Sequence, residues 1–196
     1  MARSAAEPLR IGVYGGMFDP VHNGHLRVAL DVMEAGGLDQ VRFVPCHRPT
    51  HRRPAVAAAG VRVRLLEEAC ATQPGFVVDD RELARDTPSW TLDTLRGLRR
   101  DFPDAQLHLL LGEDNFHGLP GWHRWLELTD HAHLVVMPRP GTRKPCAPLL
   151  GQWLASREAA DWQMRTFLKD HARDVDKWHH RLVEGKLPGA DLTALT

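Results

Sequence analysis

Hydrophobic positions along this chain follow two alternating rhythms. Short apolar runs, LRIGVYG (9–15), VRFVP (41–45), FVVDD (76–80), QLHLLLG (106–112) and HLVVMP (133–138), have the length and composition of buried strands. Between the runs the spacing changes to that of helices. Leu26, Ala29, Leu30 and Met33 recur at i, i+3, i+4, i+7, and residues 62–71, 90–100 and 121–128 read as further helices. Met164, Phe167, Leu168, His171, Val175, Trp178 and Leu182 mark one face of a long helix near the C-terminus. Strands alternating with helices predict right-handed βαβ units. The fold class is therefore α/β, a doubly wound parallel sheet with helices on both faces. Residues 1–8 read as a flexible leader, 9–141 as the core, and 142–196 as a helical C-terminal part of the same domain. Folds of this class bind ligands beyond the carboxyl ends of their strands.

Composition narrows the picture in a few places. The 196 residues suffice for one domain with a sizeable core, and the formal net charge is zero with histidine neutral. No bulk charge attracts nucleic acid or an acidic membrane. Cys46, Cys70 and Cys146 are odd in number and far apart, without the spacing of a disulfide framework or a thiolate zinc site. No apolar run has the length of a membrane span, and MARSAAEPLR lacks the apolar centre of a signal peptide. The expected compartment is a reduced cytoplasm.

The chemistry concentrates in GGMFDPVHNGHL, residues 15–26. Gly15 and Gly16 directly follow a strand, where glycine lets a ligand approach the backbone N–H groups. Asn23 is a reasonable N-cap for the next helix, whose positive end would face the same spot. With Gly24 between them, His22 and His25 can both aim imidazoles at a bound anion. A metal site, a structural turn and a phosphate cradle all fit this cluster; a metal site would require a third ligand, and His47, His51, His131 and His133 lack a familiar ligand spacing.

The same stretch resembles the nucleotidyltransferase signature G-x-F-D-P-x-H-x-G-H, in which the two histidines hold the phosphates of a nucleoside triphosphate. Further stretches, in order, are similar to the bacterial nicotinate-nucleotide adenylyltransferases. PCHRPTHR (45–52) resembles the P-x-x-x-P-P-H-K segment, with Thr50 and Arg52 in place of Pro and Lys. ELARDTPSWTLDTLR (82–96) resembles E-x-x-R-x-x-x-S-Y-T-x-D-T-L, with Trp90 in place of Tyr. LLLGEDNFHGLPGWHRW (109–125) resembles a strand followed by G-x-D and W-x-x-W, and VVMPRPG (135–141) ends in the family's R-P-G. Arg62 falls at the arginine of an R-x-x-L-L helix, where a structural role is expected.

The resemblance implies a Rossmann-like fold of nucleotidyltransferase type and an enzyme of NAD biosynthesis. It implies ATP contacts from Gly15, Gly16, Met17, Phe18, His22, Gly24, His25, Gly112, Asp114 and Arg139, with His22 and His25 catalytic. Acceptor contacts would come from His51, Arg52, Thr91 and Trp122. Trp125 is expected in the core, and Glu82 with Arg85 as a structural pair. The implied substrates are ATP and nicotinate mononucleotide, with Mg²⁺ carried mainly on the ATP phosphates and no metal site built from protein ligands. The family pattern continues with I-S-S-T-x-x-R and a final helix; ADLTALT (190–196), with Thr193 and Thr196, would correspond to the start of that segment.

Overall fold

A computed structural model describes residues 7–49, 54–137 and 147–157. Two compact units divide the chain, Met1–Val136 and Met137–Thr196. The first carries β1 (Arg10–Gly16), α1 (Asn23–Gly36), β2 (Gln40–Pro45), α2 (Ala59–Cys70), β3 (Phe76–Val78), α3 (Thr91–Asp101), β4 (Gln106–Gly112), α4 (Glu113–His117) and α5 (Leu128–His131). The strand β5 (His133–Met137) runs up to the boundary, and α6 (Pro148–Arg157) belongs to the second unit.

The five strands form one parallel sheet in the order β3-β2-β1-β4-β5. β1 pairs with β2 from Ile11↔Gln40 to Gly16↔Pro45 and with β4 from Arg10↔Gln106 to Val13↔Leu109. The chain winds outward through β2 and β3, then crosses back to β4 on the other side of β1. That reversal places a topological switch point between β1 and β4, where the connections diverge and leave a crevice. The two faces carry different helices. On one, Gly12 is so closely packed that an added Cβ would lie 3.0 Å from Leu38, just past α1. On the other, Arg42 lies 4.6 Å from the ring centroid of Phe102, at the end of α3. The core between them includes Ile11, Val13, Val41, Phe43, Leu66, Leu95, Leu98, Leu107 and Leu109, all nearly inaccessible.

Several boundaries differ from the sequence expectation, each for a local reason. The strand expected over 76–80 stops at Val78, because Asp79 turns its carboxylate to Arg42 (3.0 Å) and Arg81 (2.7 Å). Burial alone would raise that carboxyl, but the Arg81 and Arg42 guanidinium groups hold it below its usual value. The helix expected over 121–128 is instead two 3₁₀ turns, Leu119–Gly121 and Trp125–Glu127, followed by α5. Between them Arg124 adopts a left-handed conformation (φ 51°), which no continuous helix accommodates. On β4, burial together with His133 and Arg10 pushes the His108 imidazole down to about 4. Burial pushes the Cys70 thiol up to about 11, which marks it as an inert core group. The long helix expected over 164–182, Cys146, and Thr193 and Thr196 lie outside the described residues.

Candidate nucleotide and acceptor site

A cleft of about 390 Å³ opens at the carboxyl ends of β1, β2 and β4, at the switch point of the sheet. Its floor is Val13, Val44 and Leu109–Leu111. One end is bordered by Gly15, Gly16, Met17 and Cys46; the other by Ser89, Trp90, Thr91, Trp122 and His123.

The β1 end is shaped by the turn after Gly16. Phe18 stands in a left-handed conformation (φ 46°), which buries its ring to 2% exposure beneath the backbone. There it makes edge contacts with Tyr14 (5.5 Å between centroids) and His25 (5.1 Å). A Cβ on Gly16 would lie 2.9 Å from the Phe18 ring, so this glycine is dictated by packing. Gly15 is different: a Cβ there meets nothing within 4 Å, and the residue borders the cleft.

Two polar groups hold this turn, one buried and one half-buried. Arg62, 1% exposed, donates from Nη1 to the Met17 carbonyl (2.6 Å), from Nη2 to the Cys46 carbonyl (2.8 Å) and from Nε to the Ala57 carbonyl (3.3 Å). Its expected structural role is thereby accounted for. Asp19, whose part the sequence did not disclose, accepts from the Val56 and Ala57 N–H groups. The segment entering α2 is thus fixed to the turn.

α1 begins with His22 as its N-cap rather than Asn23. The Nδ1 of His25 accepts from the His22 backbone N–H at 3.3 Å, using the histidine three residues on where a capping box has Glu or Gln. The two imidazoles stack with centroids 3.7 Å apart, and a Cβ on Gly24 would lie 3.0 Å from the His22 ring. Gly24 therefore makes room for His22. Neither histidine borders the cleft itself; they stand at the N-terminus of α1, after Gly15–Met17, which do. Phe18, Gly24 and Gly112 also do not face it, whereas Asp114, in the first turn of α4, does.

At the other end, α3 starts at Thr91 with Trp90 as its N-cap. Neither Ser89 nor Thr91 is the cap. The Ser89 hydroxyl accepts from the N–H groups of His47 (3.1 Å) and Arg48 (3.0 Å), fastening the loop after β2 to the approach of α3. Glu82 and Arg85 are joined through Thr94. The Thr94 hydroxyl donates to Glu82 (2.6 Å) and accepts from Arg85 (2.7 Å). Trp125 is 9% exposed, as expected of a core residue, and Trp122 faces the cleft. The sequence reading missed His123, whose ring lies 4.0 Å from that of Trp90 at an interplanar angle of 15°. His51, Arg52 and Arg139 lie outside the described residues. Among the described residues no group of three or more His, Cys, Asp and Glu side chains is placed to hold a metal ion, and no helix is long and apolar enough to cross a membrane.

Comparison with known proteins agrees with this geometry. The cytidylyltransferase-like family model matches residues 13–178. A protein of Aeromonas hydrophila named a probable nicotinate-nucleotide adenylyltransferase is 49% identical over 154 residues, covering 77% of this chain and 72% of the relative. One of Pseudomonas fluorescens with the same name is 50% identical over 153 residues, covering 78% and 72%. Among solved structures, the Plasmodium falciparum nicotinic acid mononucleotide adenylyltransferase complexed with NaAD superposes with a TM-score of 0.62. It covers 70% of this chain and 68% of its own at 17% identity, a likeness of fold. With a nucleotidyltransferase signature on the turn after β1 and curated relatives near half identity, the chain belongs to the cytidylyltransferase-like family and, within it, to the nicotinate-nucleotide adenylyltransferases.

Proposed function

We propose that this enzyme joins ATP and nicotinate mononucleotide into nicotinate adenine dinucleotide and pyrophosphate, in the cytoplasm. The observation that carries the reading is a single cleft with two chemically distinct ends. One is a backbone-lined turn with an unhindered Gly15; the other has an aromatic wall and a helix start. A mononucleotide acceptor calls for both a planar apolar partner and donors for a small anionic group, and a bare triphosphate sensor would use neither.

In this reading an oxygen of the acceptor's 5′-phosphate attacks the α-phosphorus of ATP. The bond from that phosphorus to the β-phosphate bridge breaks, and pyrophosphate leaves with the electron pair. The nucleophile is already an anion, so no protein base and no covalent intermediate are required. Catalysis consists of alignment and stabilisation of charge. Gly15–Met17 receive the triphosphate, and His22 and His25 at the positive end of α1 donate to it as charge builds. ATP arrives as its Mg²⁺ complex, the ion held by phosphates and water. Asp114 accepts from a ribose hydroxyl. Trp122 stacks on the acceptor's pyridine ring, and Thr91 with the free N–H groups of α3 receives the ring's carboxylate. His51 and Arg52 belong to the acceptor phosphate, and Arg139 to the adenylate.

The test is pyrophosphate release with ATP and a panel of acceptors. Nicotinate mononucleotide should give the highest kcat/KM, ahead of nicotinamide mononucleotide and phosphopantetheine. Preference for either of the latter would overturn the acceptor assignment, and ATP binding without turnover on any acceptor would point to a regulatory nucleotide-binding protein.

A further inference from the structure

Trp90 breaks a local rule. N-cap positions favour Ser, Thr, Asp or Asn, whose short side chains bond to the first free N–H groups, and an indole provides none of this. No side-chain hydrogen bond caps α3. What the indole does instead is lie flat against His123, at 4.0 Å and 15°, on the wall of the cleft. Residues that forgo local stability are expected where they serve a site.

His123 belongs to the turn that presents Trp122. That turn is fixed to α3 at a second point: Arg124 donates from Nη2 to Glu127 at 2.6 Å, and Arg96 on α3 donates to the same carboxylate at 3.1 Å. Arg124, left-handed at φ 51°, is the bend between the two attachments. On one side of it Trp125 enters the core, and on the other His123 meets Trp90. A segment held at one point can pivot; held at two, it cannot.

We propose that Trp90 and His123 are a positioning pair for the acceptor. Their stack clamps the turn carrying Trp122 against the helix start carrying Thr91, and so sets the width of the slot into which the acceptor ring fits. The inference rests on the function proposed above for its substrate, but not for its geometry. Parallel rings supply the contact, so an aromatic side chain at 123 should serve nearly as well as imidazole.

The test uses the full chain with H123A, W90A, the double variant and H123F. With ATP and nicotinate mononucleotide, H123A and W90A should each raise the acceptor KM on the order of tenfold, the size expected for losing one aromatic pair. The ATP KM and kcat should stay within about twofold, since this contact affects ground-state binding of one substrate. The double variant should resemble either single one, and H123F should recover most of the affinity. H123F as impaired as H123A, multiplicative single effects, or an equal rise in ATP KM would each overturn the clamp. Hydrogen exchange without substrate supplies a readout independent of the acceptor. Amides of residues 119–125 should exchange several-fold faster in H123A and W90A and at the parent rate in H123F. If the parent enzyme fails to use nicotinate mononucleotide, the function proposed above falls, and exchange alone decides the clamp: unchanged rates in H123A overturn it.

Discussion

At the β1 end of the cleft, the groups that fix the turn are polar and bond to backbone: the buried Arg62 guanidinium on three carbonyls and the half-buried Asp19 carboxylate on two N–H groups. At the acceptor end the turn is held by surface side chains, a ring stack and an Arg–Glu–Arg chain of ion pairs. Hydrogen bonds to a buried charged group are costly to lose, because the group or its partners are left without full compensation by water. An exposed ion pair is worth about 1 kcal/mol or less, and a ring stack about 0.5–1.5 kcal/mol. The β1 end is therefore held the more firmly of the two. The other end is held at two weaker points, so losing either one should loosen it.

The largest expected effect sits where this rigidity is put to use. His22→Ala should lower kcat by on the order of 10²–10³, equivalent to about 3–4 kcal/mol of transition-state stabilisation, with thermal unfolding nearly unchanged because His22 is exposed. Near-normal turnover would remove His22 from the chemistry. Arg62→Met comes next and should act on the fold as well. With three part-buried carbonyls deserted, we expect a loss of about 3 kcal/mol in urea unfolding and a matching drop in activity. Were stability alone to fall, Arg62 would not be what shapes the cradle.

The adjacent glycines sharpen the contrast at a smaller scale. Gly16→Ala forces its methyl to 2.9 Å from the Phe18 ring and should destabilise by about 1–3 kcal/mol. Gly15→Ala has open space and should leave stability within about 0.5 kcal/mol. Its methyl should nevertheless raise the KM for ATP while sparing that for the acceptor. Equal behaviour of the two variants would mean that the cleft does not receive the triphosphate at Gly15.

The smallest effect lies away from the cleft and concerns pH. His108 is pushed down to about 4 in the fold from an ordinary 6.5, so between these values the unfolded chain binds more protons. Its contribution is present above pH 6.5 and is lost as pH falls toward 4. Asp79, held low, loses its contribution only as pH falls further, through its own depressed folded value. Urea midpoints measured at pH 7 and pH 5 should differ less in His108→Leu than in the parent chain.

How much was legible in the sequence follows the same division. The strands and the order of their chemistry could be read from apolar runs, because a sheet buried on both faces leaves a continuous hydrophobic record. Arg62 could be expected as structural from its place in a helix motif. Asp19 could not, because its partners are backbone N–H groups of Val56 and Ala57, which leave no mark on side-chain pattern. The short helix expected over 121–128 failed because Arg124 can enter the left-handed region without being glycine. Trp90 was visible as a departure from a family pattern, but its partner His123 was not, since cross-element stacking has no sequence period. The helix cap at α1 was misplaced by one residue, because His22 holds the position that polar Asn23 suggested for itself.

Arg62 carries a consequence for how the enzyme is assembled. Its bond to Met17 spans 45 positions of sequence, and that to Cys46 spans 16. Loops of that length close late, because their entropy is recovered only once the strands they join have paired. The twelve letters GGMFDPVHNGHL are contiguous, yet a peptide containing them lacks the cation that folds their turn. The binding motif is local as text and non-local as an object: it comes into being when β1, β2 and α2 have met, and an unfinished chain carries the signature without the site.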